Sequence, residues 1–175
     1  METLSRIGQT IAQEFSDLPD VEAATRIVVR LTLAALLGGL LGIEREAKGK
    51  AAGVRTHMMV CMGAAMFVLA SQQFGINPAD MSRVLQGVIA GVGFLGAGTI
   101  LKGDGESTVK GLTTAAGIWM TAAIGVAAGM GKESTAMLAT LLTLAIMASL
   151  PLFTRMFERP EKPPRIARPD EPPRR

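Results

Sequence analysis

Four stretches of this chain carry no charged residue: Met58–Gln73, Val84–Leu101, Gly111–Gly131 and Ser134–Thr154. Each approaches the length of a bilayer-spanning helix, roughly 20 residues for a hydrocarbon core of about 30 Å. Helices of soluble proteins also have apolar stripes, but charge interrupts them every three or four residues. Arg26–Ile43 makes a fifth span, with Arg30 about one turn inside its end. The expected fold is therefore an all-α membrane protein, a bundle of about five transmembrane helices. A hydrophobic fraction of 49% in 175 residues agrees with this.

The chain divides into an N-terminal segment (1–25), a transmembrane domain (26–153) and a tail (154–175). In the first segment Leu4, Ile7, Ile11, Phe15 and Leu18 recur at helical spacing, an amphipathic pattern. Its polar face is mostly acidic, and no apolar core or cleavage site marks a secretory signal. Such a helix is suited to the membrane interface, although most interfacial helices are basic. The tail holds six of the nine prolines and seven basic residues. It is expected to be disordered, with affinity for anionic headgroups.

Residues 44–57 read as a short polar loop between the first two spans, and its four Lys/Arg set the orientation. If this loop is cytoplasmic, the inside holds 13 basic residues and the outside five, namely Arg6, Arg26, Arg30, Arg83 and Lys132. That asymmetry predicts an N-terminus outside and a C-terminus inside. It also accounts for the net charge of +3 without nucleic acid. Within the loop, Glu44, Arg45, Lys50, Arg55, Thr56 and His57 form a candidate charge-paired, anion-binding or partner-contact motif. Glu44 ends one helix and Arg55 begins the next, each against the local helix dipole, and a Glu44–Arg55 pair would relieve both. Arg30 reads as a snorkelling anchor or as one half of a buried ion pair.

The spans carry small residues where chemistry would be sought. Gly91, Gly93 and Gly96 fit the spacing of a dinucleotide fingerprint, but that motif needs a βαβ unit, and here it lies inside a membrane-length run. Gly87, Gly91 and Gly98 share one face, a groove that admits a second backbone, while Gly93 and Gly96 smooth other faces. Five such glycines require a helix packed tightly on several sides, or one broken around a polar cavity. In the fourth span Thr114, Gly117, Thr121 and Gly125 form a small-polar contact strip. Trp119, near mid-span, should pack against another helix. His57 and Cys61, with Met58, Met62 and Met66, lack the further His or Cys of a closed metal site, so they read as packing. Gly131-Lys132-Glu133, with Val126, fails the P-loop pattern. The single cysteine excludes a disulfide framework.

Three stretches in order, 44–57, Gly91–Gly98 and Gly111–Trp119, resemble the MgtC/SapB family of bacterial inner-membrane proteins, and Gln86-Gly87 is more similar to its YhiD-like branch. The likeness covers about residues 26–150. It implies a multi-pass protein of the bacterial inner membrane, linked to low magnesium, acid stress and virulence, some members of which restrain the F-type ATP synthase. Here a Pro/Arg tail stands where some members carry a soluble C-terminal domain. The expected role is modulation of another membrane complex, with membrane lipid and a homo-oligomer as further partners. The alternative is Mg²⁺ transport or sensing at the cytoplasmic face. No cofactor is expected beyond Mg²⁺, whose candidate ligands are the acids Glu44, Glu46, Asp104 and Glu106. No nucleophile and base are visibly paired, so no catalysis is expected.

Overall fold

A computed structural model describes residues 2–14, 16, 20–102 and 109–157. Six helices follow in order: α1 (Glu2–Glu14), α2 (Val21–Ala47), α3 (Val54–Gln73), α4 (Pro78–Ala97), α5 (Leu112–Gly129) and α6 (Glu133–Phe157). A two-residue hairpin, β1 (Leu101–Lys102) against β2 (Val109–Lys110), lies between α4 and α5. The chain is an all-α membrane bundle in which α2 to α6 correspond one for one to the expected spans. Among the described residues, α2, α3 and α5 are long and apolar enough to cross a membrane. The uncharged part of α4 is shorter, because Asp80 and Arg83 occupy its first turns. The expected tail lies outside the described residues from 158 onward.

Local signals set boundaries that hydropathy alone misplaces. The Asp20 side chain accepts from Ala23 N at 2.6 Å, an N-cap that starts α2 five residues before the expected span. Asn77 does the same for α4, accepting from Asp80 N at 3.0 Å, with Pro78 following at the first helical position. α4 therefore runs from Pro78 to Ala97 rather than from Val84 to Leu101. It is an unbroken α-helix, which excludes the broken-span alternative within those bounds. At the other end of the first hairpin, α2 continues to Ala47 before Gly49, at φ +62°, turns the chain. Gly49 N donates to Glu46 O and Lys50 N to Arg45 O, as in a left-handed C-terminal cap. The polar loop expected over 44–57 is thus only residues 48–53.

The core is organised around α3, which packs between α2 and α5. Ala34, Leu37 and Leu41 of α2 meet Cys61 and Ala65 of α3, Ile124 and Ala128 of α5 and Ala136 of α6. A second cluster joins Ala64 of α3, Val92 of α4 and Ile118 and Ala122 of α5. Small residues let these backbones approach. A β-carbon at Gly38 would meet the His57 carbonyl, and one at Gly42 would meet the Val54 backbone. On the other side of α3, Gly125 lies over the Cys61 carbonyl and Gly129 over that of Ala65. Two G-x-x-x-G pairs, 38/42 and 125/129, thus clasp α3. Gly87, Gly91 and Gly93 of α4 have open space where a β-carbon would stand. The expectation that α4 packs tightly on several sides is corrected accordingly within the single chain. Of its glycines, Gly96 meets a neighbour, at ordinary contact distance from Ala115 of α5.

Candidate functional site

The charged motif lies where α2 ends and α3 begins, and the structure splits it into two groups. Glu44, Arg45, Glu46 and His57 turn inward or engage the backbone; Lys50, Arg55 and Thr56 are exposed. Arg45 is only 2% exposed. Its Nε donates to the Glu44 carboxylate, whose other oxygen lies 2.5 Å from Lys48 Nζ. The expected Glu44–Arg55 pair is therefore not formed, because Glu44 is held by Arg45 of its own helix and by Lys48 just beyond it. A buried arginine depends on such a partner, since an uncompensated charge there is costly.

The hairpin is closed by a different carboxylate. Gly53, the residue before α3, has no side chain with which to cap it. Glu46 supplies the missing acceptor from the end of α2, taking the Val54 N–H at 2.9 Å. One anion thereby satisfies a donor at the helix start and sits at the favourable end of its dipole. His57 lies one turn further in and is fully buried. Its Nδ1 donates to the Gly53 carbonyl at 2.9 Å, while Nε2 is buried with no hydrogen-bond partner among the described residues. Cys61, one turn on again, is enclosed between α2 and α5. Of the methionines on this helix, Met59, Met62 and Met66 face outward, so they line the surface and not the core.

Arg30, at the opposite end of the bundle, has a role beyond anchoring. Its Nη1 donates to Gln72 Oε1 and to the Gly129 carbonyl, each at 3.1 Å. Its Nε lies 3.7 Å from Glu133 Oε1. The side chain covers Gly131, whose φ of +73° turns the chain from α5 into α6. One guanidinium thus ties together the end of α3, the end of α5 and the start of α6. An ion pair is present, but with Glu133 partly exposed it is not a fully buried one.

Between α3 and α4 the helices diverge, leaving an apolar groove of about 620 Å³. Gly63, Phe67, Gly87, Val88, Gly91 and Leu95 are among its walls. In α5, Thr114, Gly117 and Thr121 are buried, and Thr121 Oγ1 donates to the Gly117 carbonyl at 2.8 Å. Trp119 is half exposed beside a small cleft with Leu85 and Ile89 of α4, so the expected packing of the indole against another helix is only partial. Gly98 follows α4 at its C-terminal boundary. Asp104 and Glu106 lie outside the described residues.

A profile of the MgtC family matches residues 31–156, most of the chain, including all of α3 to α5 and most of α2 and α6. This chain belongs to the MgtC family. It is 40% identical over 130 residues to YhiD of Escherichia coli, a protein named as a candidate magnesium transporter, covering 69% of this chain and 58% of YhiD. It is 42% identical over 140 residues to SrpB of Synechococcus elongatus, covering 73% and 76% of the two chains. Against MgtC of Salmonella typhimurium the identity is 41% over 117 residues, covering 67% of this chain and 49% of MgtC. The chain thus spans little more than half the length of YhiD and about half that of MgtC. No solved structure matches it.

Proposed function

We propose that this MgtC-family membrane protein modulates another membrane complex by receiving one of its transmembrane helices in the α3–α4 groove. The groove itself carries the reading. It is apolar, opens beside two long helices, and has glycine walls at Gly63, Gly87 and Gly91. Absent side chains there let a partner backbone approach, which is how helices associate where lipid is as apolar as leucine. In this reading the protein works in the bacterial inner membrane, with its N-terminus outside and C-terminus inside. It needs no cofactor and catalyses no reaction. The family resemblance makes the F-type ATP synthase the first complex to test and adaptation to low magnesium or acid the setting. Gly91→Leu places a branched side chain in the groove at a position with room for it. The variant should reach the parental membrane level yet lose co-purification of the synthase and its effect on ATP-driven proton pumping in inverted vesicles. Parental co-purification and pumping would refute groove docking.

A second reading, Mg²⁺ transport or sensing, draws on the name of the Escherichia coli relative. It faces a structural demand, because Glu44 is engaged by Arg45 and Lys48 and Glu46 caps α3. Mg²⁺ would have to displace those partners to take their oxygens. Proteoliposomes containing a trapped Mg²⁺ indicator separate the readings: protein-dependent uptake supports transport, and its absence at parental protein density opposes it.

A further inference from the structure

Helix α1 presents Leu4, Ile7 and Ile11 along one side, each at least half exposed, and none of its residues is buried. Glu2, Arg6, Gln9 and Gln13 occupy the opposite side at helical spacing, with Arg6 Nη2 3.1 Å from Glu2 Oε1. Among the described residues this apolar face covers nothing and is covered by nothing.

Its tether identifies what lies next to it. Six residues separate Glu14 from Val21, where α2 begins, so the chain can carry the end of α1 no more than roughly 25 Å from the start of α2. α2 has 27 residues and is about 40 Å long, which exceeds a hydrocarbon core of about 30 Å. Its apolar middle fixes it across that core, and the Glu22–Arg26 pair at 2.7 Å then falls at headgroup level. α1 is thereby held beside the bilayer surface permanently. Tethering makes that surface an intramolecular partner at high effective concentration, an advantage no free protein has.

The charges of α1 narrow the lipid chemistry. Its ionised side chains are Glu2, Arg6 and Glu14, a sum of −1 from one cation and two anions, and Arg6 is already engaged by Glu2. Attraction to anionic lipid, which drives most interfacial helices, is absent. We propose that α1 lies in the membrane plane as an interfacial helix, seating Leu4, Ile7 and Ile11 at the boundary between headgroups and acyl chains, held by apolar burial and indifferent to anionic headgroups.

The test uses the full-length chain in nanodiscs of phosphatidylcholine, with single spin labels at Leu4→Cys, Ile7→Cys, Ile11→Cys, Gln9→Cys and Gln13→Cys. Cys61 is replaced by Ala, and a parallel set retains it, since its buried thiol is shielded from labelling. Labels at 4, 7 and 11 should show a several-fold higher ratio of oxygen to water-soluble nickel relaxation than those at 9 and 13. Adding phosphatidylglycerol should leave that ratio unchanged. Equal nickel access at all five positions overturns the proposal by placing α1 in water. Shielding of 4, 7 and 11 from both reagents, or spin–spin broadening between copies, overturns it by placing protein on that face. A ratio that rises only with phosphatidylglycerol overturns the charge argument.

Discussion

At Gly125 of α5 a β-carbon would enter the space of the Cys61 carbonyl, whereas at Gly93 of α4 it would meet no atom within 4 Å. Backbone cannot move aside as a flexible side chain does, so Gly125→Ala should cost at least the ~1–3 kcal/mol typical of overpacking. Gly93→Ala should instead gain up to about 1 kcal/mol of helix propensity. Thermal unfolding in detergent should place the midpoints on opposite sides of the parent; equal midpoints would contradict the clasp around α3. The hairpin end offers a second comparison. Glu44→Gln leaves Arg45 buried without its counter-charge, a change of roughly 3–5 kcal/mol where a buried pair is broken. Glu46→Ala removes a cap, worth roughly 0.5–2 kcal/mol. Arg55 is exposed and takes no part in either interaction, so combining Glu44→Arg with Arg55→Glu should fail to restore the folded level. Recovery in the double variant, measured by membrane abundance, would reinstate the Glu44–Arg55 pair.

Arg30 belongs to the scale of elements, because a single side chain there joins three helix ends. Arg30→Gln keeps a donor but loses the charge facing Glu133 and the reach to two acceptors. Amide exchange across Gly129–Glu133 should accelerate while the α2–α3 hairpin, packed elsewhere, keeps its protection; uniform exchange throughout would show that Arg30 only anchors the chain. This contact illustrates what was legible in the sequence. The five long helices could be read from four uncharged runs and the largely apolar Arg26–Ile43, because apolarity over that length has one main physical use. Helix starts were equally present, as Asp20 before α2 and Asn77-Pro78 before α4, but a count of charges passes over caps. The small strip of α5 could be read from spacing. Which glycines receive a backbone could not, since Gly87/Gly91 and Gly125/Gly129 share one motif and only the neighbour across the gap distinguishes them. Likewise Glu44, Glu46 and Arg55 were recognisable as a charged group, whereas their pairing depends on α2 continuing to Ala47 and carrying Glu46 to the start of α3.

For the whole molecule, the proposed orientation rests on where charge resides relative to the spans. The basic residues near the 48–53 loop, the β1–β2 hairpin and the C-terminal tail number 13, against five at the other ends. Lys and Arg resist transfer across a membrane, so the proposed topology puts the richer side inside. Some of this charge is neutralised in the folded chain: Glu44 engages Arg45 and Lys48. That does not weaken the inference, since the rule counts Lys and Arg and gives Asp and Glu little weight. If all five helices α2 to α6 cross, as proposed, the two chain ends lie on opposite sides. A reporter fused after residue 155 that is active only in the cytoplasm should be functional, and one active only in the periplasm should be silent. Fusions after Ile76, between α3 and α4, should show the reverse. If α4, the helix with the shortest uncharged stretch, fails to cross, the fusion after Ile76 keeps its periplasmic signal while one after Gly111 remains periplasmic instead of turning cytoplasmic. The Gly111 fusion is therefore the decisive measurement: a cytoplasmic signal there requires α4 to cross, and a periplasmic one removes it from the set of spans.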